Sequence, residues 1–413
     1  MNSLEQNISA DSADTRDSSD TPELSRTGVG KALFALAMGG FAIGTGEFVI
    51  MGLLPDAAKG LNVSIPSAGH LISIYALGVV IGAPLLAILG ARWPRRNFLV
   101  TLMALFAVGN IVSSVAPSFY SMAIARFIAG FPHGTFFGVA ALVAASLVER
   151  KRRAQAVSMV LLGLTVANLI GVPLATAIGQ WVGWRSAFAI VGGLAVITLI
   201  LVLLWVPRVD GDKFASPLRE LKALTRKQVL LTLAIGAVGT GGMFSVFSYV
   251  KPTMLQLAHL PLSMIPVVLA LFGLGMIIGN VAGGRLADRG LEKTIRGILL
   301  WSIAILAAFT FTAHHPVLGP LNVMLVGTMV SLSAVLQIRL MDVAGDAQTM
   351  AAAMNHSAFN IANAMGAWLG GLTISAGLGW ESTGWLGALL AVGGLVIHTV
   401  AVIDSKKHPL KHP

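Results

Sequence analysis

A chain of 413 residues that is 55% hydrophobic, only 11% charged and carries a net charge of +10 cannot cover itself as a soluble domain, because ordinary globular proteins are roughly 25% charged. The basic balance would suit a nucleic-acid partner in a soluble protein, but here the cations cluster between long uncharged stretches. With no cysteine, disulfides and thiolate metal sites are excluded.

In chain order, residues 1–30 are acidic and serine-rich and read as a disordered tail, without the basic leader of a cleavable signal. Beyond them, residues 97–146 hold Arg126 as their one charge, 154–207 hold Arg185, 297–338 hold none and 347–403 hold Glu381. Each stretch is long enough for two crossings of a hydrocarbon core about 30 Å thick. Turn residues and charges mark helices over 31–54, 65–90, 97–116, 118–146, 155–180, 185–206, 228–250, 263–287, 294–313, 319–341, 349–376 and 382–404. This is an all-α integral membrane protein of twelve transmembrane helices. The N-terminal bundle is expected over 31–206, a basic linker over 207–227, the C-terminal bundle over 228–404 and a tail over 405–413.

Of the 28 lysines and arginines, 24 fall on the side of the termini and three, Lys59, Arg185 and Lys251, on the other. That bias predicts both termini in the cytoplasm, and for a bacterial chain a place in the cytoplasmic (inner) membrane. The two halves also share ordered matches. Gly78–Gly82 recurs as Gly275–Gly279, Gly44-Thr45-Gly46 as Gly239-Thr240-Gly241, Ala167-Asn168 with Gly171 as Ala362-Asn363 with Gly366, and Gly183-Trp184 as Gly379-Trp380, all at offsets of 195 to 197. A parallel repeat of six helices places a substrate site near the midplane between the halves.

Ionisable groups inside spans are expensive, about 2.5–3.5 kcal/mol each on the mildest insertion scale, and are functional candidates by default. Two stand out, Glu47 in the first helix and Arg126 in the fourth. Helix 1 runs outward and helix 4 inward, and each charge lies about 12 Å from the outer end of its helix, so the two share one depth. Glu47 can bind and release a transported proton, with hydration and distance from Arg126 setting its affinity; the alternative is a static salt bridge. His133, two turns from Arg126 on the same face, can relay protons or simply hydrogen-bond within the bundle. Asn168, Gln337, His356, Asn360 and Asn363 can bind substrate hydroxyls and amides or join helices to each other. Phe244 and Phe247 can line an apolar binding surface or face lipid.

The residues also resemble a known family. Gly284-Arg-Leu-Ala-Asp288-Arg289-Gly290 is similar to the G-x-x-x-D-R loop of the major facilitator superfamily, and its first-half counterpart keeps Arg92, Arg95 and Arg96 without the aspartate. Arg126-Phe-Ile-Ala-Gly130 resembles the family's fourth-helix signature for proton coupling. Gly163 with Gly171-Val-Pro173 resembles its antiporter motif. Gly46-Glu-Phe-Val-Ile-Met-Gly-Leu-Leu-Pro55, Gly130-Phe-Pro-His-Gly-Thr-Phe-Phe-Gly138 and Phe247-Ser-Tyr-Val-Lys-Pro252 look like the arabinose-efflux-permease branch of the drug:proton antiporters.

The resemblance implies a proton-coupled exporter of a small neutral or amphiphilic molecule, a drug or a sugar, working by alternating access. It also implies that Asp288, Arg289 and the Arg92/Arg95/Arg96 set latch the halves in one state, although topology alone would explain the arginines. Uptake of a sugar by proton symport is the alternative on the same fold. A membrane enzyme is disfavoured, since neither H-E-x-x-H nor a nucleophile elbow is present. The expected partners are substrate, protons and the bilayer, for a monomer with no cofactor, metal or nucleic acid.

Overall fold

The computed structural model of the protein describes residues 26–149, 152–209, 226–344 and 348–407. Most of the expected N-terminal tail, most of the 207–227 linker and the end of the 405–413 tail lie outside the described residues. Twelve long helices follow in chain order: α1 (Thr27–Gly52), α2 (Ile65–Gly90), α3 (Arg95–Val115), α4 (Phe119–Ser146), α5 (Gln155–Val182), α6 (Trp184–Trp205), α7 (Lys227–Ser248), α8 (Leu262–Ala287), α9 (Leu291–Thr312), α10 (Leu318–Ala344), α11 (Gln348–Ser375) and α12 (Ser382–Lys407). No strand occurs among the described residues.

Eleven of the twelve are long and apolar enough to cross a membrane. The other, α11, has 28 residues, about 42 Å of helix and ample for a crossing. Its hydropathy is lowered by Asn355, Asn360 and Asn363, all of which are buried. The expected boundaries agree with these helices to within about four residues. Twelve crossings bring both chain ends to one side, called here the terminal face; the opposite side is the far face.

Packing repeats between the halves. α1 packs on α5 and α6, α2 on α4, and α3 on α4 and α6; α7 packs on α11 and α12, α8 on α10, and α9 on α10 and α12. The repeated glycines are the reason two of these crossings can be so close. A Cβ on Gly78 would run into the carbonyl of Phe127, and one on Gly275 into that of Met324. One turn on, Gly82 meets Phe131 and Gly279 meets Thr328. The partners keep the 197-residue offset of the glycines themselves, so the α2–α4 and α8–α10 contacts are one contact made twice. Without a hydrophobic driving force between helices in lipid, this backbone approach is what holds such pairs together.

The structure adds two short helices at the far face, Leu54–Gly60 after α1 and Val250–Gln256 after α7. They occupy equivalent places in the repeat and pack on each other. Lys251, counted above on the side opposite the termini, lies on the second of these helices, is 1% exposed and pairs with Asp56 of the opposite half. Arg339, one of the 24 cations counted above on the side of the termini, is likewise buried within α10. Neither correction reverses the charge bias.

Candidate functional site

The halves meet mainly along α2 with α11 and α5 with α8. Ser73 donates to the carbonyl of Ala364 at 2.9 Å, and the backbone of Asn168 lies where a Cβ on Gly273 would have to go. Nearer the far face, Tyr249 is wedged beside Gly69 of α2 and Gly371 of α11 while its hydroxyl donates to Ala367 O at 2.7 Å. Together with the Lys251–Asp56 pair, these contacts seal the far face. Among the described residues, side-chain bonds near the terminal face stay within one half: Arg96 Nη2 donates to Leu203 O, Arg226 Nη1 to Ala344 O, and Lys227 pairs with Asp404.

At the centre of this seam, Glu47 is the only buried acidic side chain among the described residues. The glycines of α1 allow the close packing that buries it, for a Cβ on Gly40 would strike Val160 O and one on Gly44 the side chains of Leu164 and Ala167 of α5. Asn363 Nδ2 of α11 donates to Glu47 Oε1 at 3.2 Å, and His133 Nδ1 of α4 lies 3.9 Å from Glu47 Oε2. Tyr75 of α2 completes the group, its hydroxyl 3.1 Å from the same His133 nitrogen. The expected cluster of Glu47, Arg126 and His133 does assemble, and it gains one member from each half that was not paired with it in sequence.

Glu47 and Arg126 do not form an ion pair. Arg126 Nη1 instead donates to the carbonyl of Gly46 at 2.9 Å, and its guanidinium stands 4.1 Å from the centre of the Tyr75 ring and 5.5 Å from that of Phe188. Desolvated cation–π contacts of this kind are worth about 2 kcal/mol. The salt-bridge alternative is thus replaced by a cation held on two rings and on the peptide beside the acid. Arg126 Nε and Nη2 are buried with no hydrogen-bond partner. The arrangement leaves a fully buried cation whose nearest compensating anion can gain or lose a proton.

The expected amide side chains lie along the same seam. Asn168 and Asn360 each donate through Nδ2 to a carbonyl four residues earlier, and the Oδ1 atoms of Asn168, Asn360 and Asn363 have no partner. Asn168 sits in a π-helical turn, Ala167–Gly171, immediately before Val172 and Pro173. Pro173 has no amide hydrogen to continue the α ladder, and the wider turn absorbs the break. Gly163 and Gly171 let α5 lie against α1, since a Cβ would meet Ala37 O at the first and the Thr45 hydroxyl at the second. His356 stacks on Phe137 across the halves, with centroids 5.5 Å apart and planes 8° from parallel.

Other expectations are revised. Phe244 and Phe247 are 0% and 1% exposed and contact Phe48, Phe359 and Phe272, so they pack in the interior and do not face lipid. Gln337 is half-buried on α10 and shares no hydrogen bond with the central cluster. Arg92 and Asp288 are exposed, and neither they nor Arg95 and Arg289 enter an ion pair among the described residues. Gly284 lies just before them at the end of α8 with open space where a Cβ would be. Of the α4 glycines, Gly130 and Gly134 pack closely on α2, whereas Gly138 has open space beside it.

A second buried network went unread in the sequence. Arg339 Nε donates to Glu292 Oε1 at 2.9 Å and Nη2 to Gln228 Oε1 at 3.1 Å, and Nη1 reaches the Thr232 hydroxyl. His398 Nε2 lies 2.8 Å from the other Glu292 oxygen. It joins α7, α9, α10 and α12 inside the second half. A polar pair four residues apart, Gln228 and Thr232, and a histidine within the apolar α12 were the available signals.

The geometry is that of two packed six-helix units with a charged seam, and the comparisons agree with it. The family model described as Major Facilitator Superfamily matches residues 36–336. The inner membrane transport protein YdhP of Escherichia coli K12 is 40% identical over 378 residues, which is 91% of this chain and 96% of that one. The putative transporter AraJ of the same organism is 34% identical over 88% of this chain and 93% of its own. A chloramphenicol resistance protein of Streptomyces lividans is 35% identical over 88% of this chain and 93% of its own. With a family model over residues 36–336 and relatives 34–40% identical over 88% or more of the chain, the chain belongs to the major facilitator superfamily as a multi-pass membrane transporter, not an enzyme.

Proposed function

We propose that the protein exports a small neutral or amphiphilic organic molecule, drug-like or sugar, across the bacterial cytoplasmic membrane in exchange for protons, with both termini in the cytoplasm. The observation that carries this reading is Glu47, an acid buried at the interface of the halves and hydrogen-bonded to Asn363 of the opposite one. Loss or gain of its proton changes both the charge facing Arg126 and the strength of a bond that spans the halves. Proton binding and rearrangement of the halves are thereby linked, as antiport requires.

One charge moved through 100 mV is worth about 2.3 kcal/mol, enough for roughly a fifty-fold gradient of a neutral substrate. His133, 3.9 Å from the acid, and Tyr75, hydrogen-bonded to His133, form a polar path along which a proton can approach. Three amide oxygens without partners, on Asn168, Asn360 and Asn363, suit a substrate that brings hydroxyl or N–H donors, since an unmet buried acceptor costs about 1–3 kcal/mol. The Phe137–His356 stack offers an apolar surface beside them. The far-face seal fits a state in which Asp288 and the first-loop arginines are released from their latch.

The test uses inverted membrane vesicles loaded with acid by respiration. Chloramphenicol and a panel of neutral sugars are added one at a time, and internal pH is followed. Export by antiport gives substrate-dependent proton release that Glu47→Gln abolishes. Flux of the opposite sign would establish symport and overturn the proposal.

A further inference from the structure

A cavity of about 560 Å³ opens on the outer surface of the second half, away from the seam between the halves. α8, α9 and α10 form its walls. Ile278, Ala282, Leu286 and Trp301, which border it, are exposed apolar residues of membrane-crossing helices, so the cavity faces lipid. Glycine at 297 leaves it deep, for a Cβ there would have nothing within 4 Å. Its far end is closed by Trp301, whose Nε1 donates to Thr328 Oγ1 at 2.9 Å. From the start of α9 at Leu291 to Trp301 is about 15 Å of helix, roughly the depth of one leaflet.

The terminal-face end has the opposite character. Arg289 and Lys293 border the mouth, and neither side chain has a hydrogen bond or ion pair among the described residues. Between them, Gly290 precedes the first turn of α9, which has no side-chain cap, so unmet backbone N–H groups add to the positive end of the helix. The acid in that turn, Glu292, is already engaged by Arg339 and His398. Asp288 is the remaining acid nearby, exposed on the loop.

We propose that this groove binds an anionic phospholipid, with the headgroup phosphate between Arg289 and Lys293 at the N-terminus of α9 and an acyl chain lying along Leu286, Gly297 and Trp301. Charge at the mouth and an apolar trough one leaflet deep match the two parts of such a lipid. Neither part alone suits a soluble anion or a protein partner at this depth. Basic pockets between transmembrane helices hold anionic headgroups by this chemistry.

Native mass spectrometry of the full-length protein in detergent, titrated with phosphatidylglycerol and with phosphatidylcholine of the same chains, tests it. Phosphatidylglycerol is expected to bind at least tenfold more tightly. At roughly fivefold per basic residue, R289Q/K293Q should weaken it about thirty-fold. Gly297→Leu, which fills the trough without touching the charges, should weaken it several-fold. The control K406Q/K407Q removes two exposed cations at the end of α12 and should leave it unchanged. Equal binding of the two lipids, an equal loss in the control, or displacement of phosphatidylglycerol by excess inorganic phosphate would overturn the proposal.

Discussion

Asn363 of α11 donates a 3.2 Å hydrogen bond to Glu47 of α1, so the buried acid of the first half is held by the second. Asn363 is the repeat counterpart of Asn168, yet only Asn363 touches the acid. A duplicated side chain has thus acquired a contact that its twin lacks. Proton state and the relation between halves are read out at one bond.

Glu47→Gln is expected to separate these two roles. The amide oxygen still accepts from Asn363, so substrate exchange between compartments at equal pH continues, while accumulation driven by a pH gradient falls from as much as roughly fifty-fold to none. Reconstituted liposomes measured with and without a gradient distinguish the two. Loss of both activities together would show that Glu47 has a structural role only.

Asn363→Ala should have the converse effect. The carboxyl remains but loses its bond to the other half, and a deleted partner in a buried site costs about 1–3 kcal/mol. Gradient-driven transport persists with fewer substrate molecules moved per proton. The measured ratio of substrate flux to proton flux checks this.

The far-face seal predicts an accessibility change. The chain has no cysteine, so Thr176→Cys, at a 0% exposed position beside Gly52 and Leu269, reports opening directly. Adding Lys251→Ala removes the pair with Asp56. Because Asp56 is 37% exposed, the loss is nearer 1–2 kcal/mol than the 3–5 kcal/mol of a fully buried pair. Labelling by an impermeant thiol reagent should quicken about tenfold.

Arg339 should behave as a structural residue. Arg339→Ala leaves Glu292, Gln228 and Thr232 without their shared donor; because Glu292 is 43% exposed, the expected destabilisation of the second half is about 1–3 kcal/mol, below that of a fully buried pair. Arg339→Lys should rescue little, because one ammonium cannot meet three acceptors in the guanidinium plane. Thermal aggregation of detergent-solubilised protein, followed by size-exclusion chromatography, reads both.

The repeat glycines give a paired prediction. Gly78→Ala and Gly275→Ala each force the α2–α4 or α8–α10 backbones apart and should cost about 1–3 kcal/mol. Gly138→Ala and Gly297→Ala, which face open space, should be tolerated. The same thermal assay orders the four variants.

Much of the site was legible because few residues in these spans are polar. Glu47 and Arg126 declared themselves against an apolar background, and their common depth followed from helix rise alone. Their mode of contact did not, since whether a guanidinium meets a carboxylate or a ring depends on where Tyr75 of another helix falls. Arg339 was missed because it lies a few residues from a helix end, where sequence cannot separate a buried cation from one that marks topology. Lys251 was missed for the same reason at the opposite face.

The sequence by itself determined the twelve crossings, their charge asymmetry and the twofold repeat. These follow from apolar length and from the spacing of glycines and charges, which are properties of the chain taken one segment at a time. Tertiary structure alone decided which partners each buried group has: Asn363 for Glu47, Tyr75 and Gly46 for Arg126, Asp56 for Lys251. Those partners come from separate helices and, for Glu47 and Lys251, from separate halves. Helix order and periodicity fix the depth of a side chain, but its neighbour across a seam is set by how the helices rotate and cross when they pack.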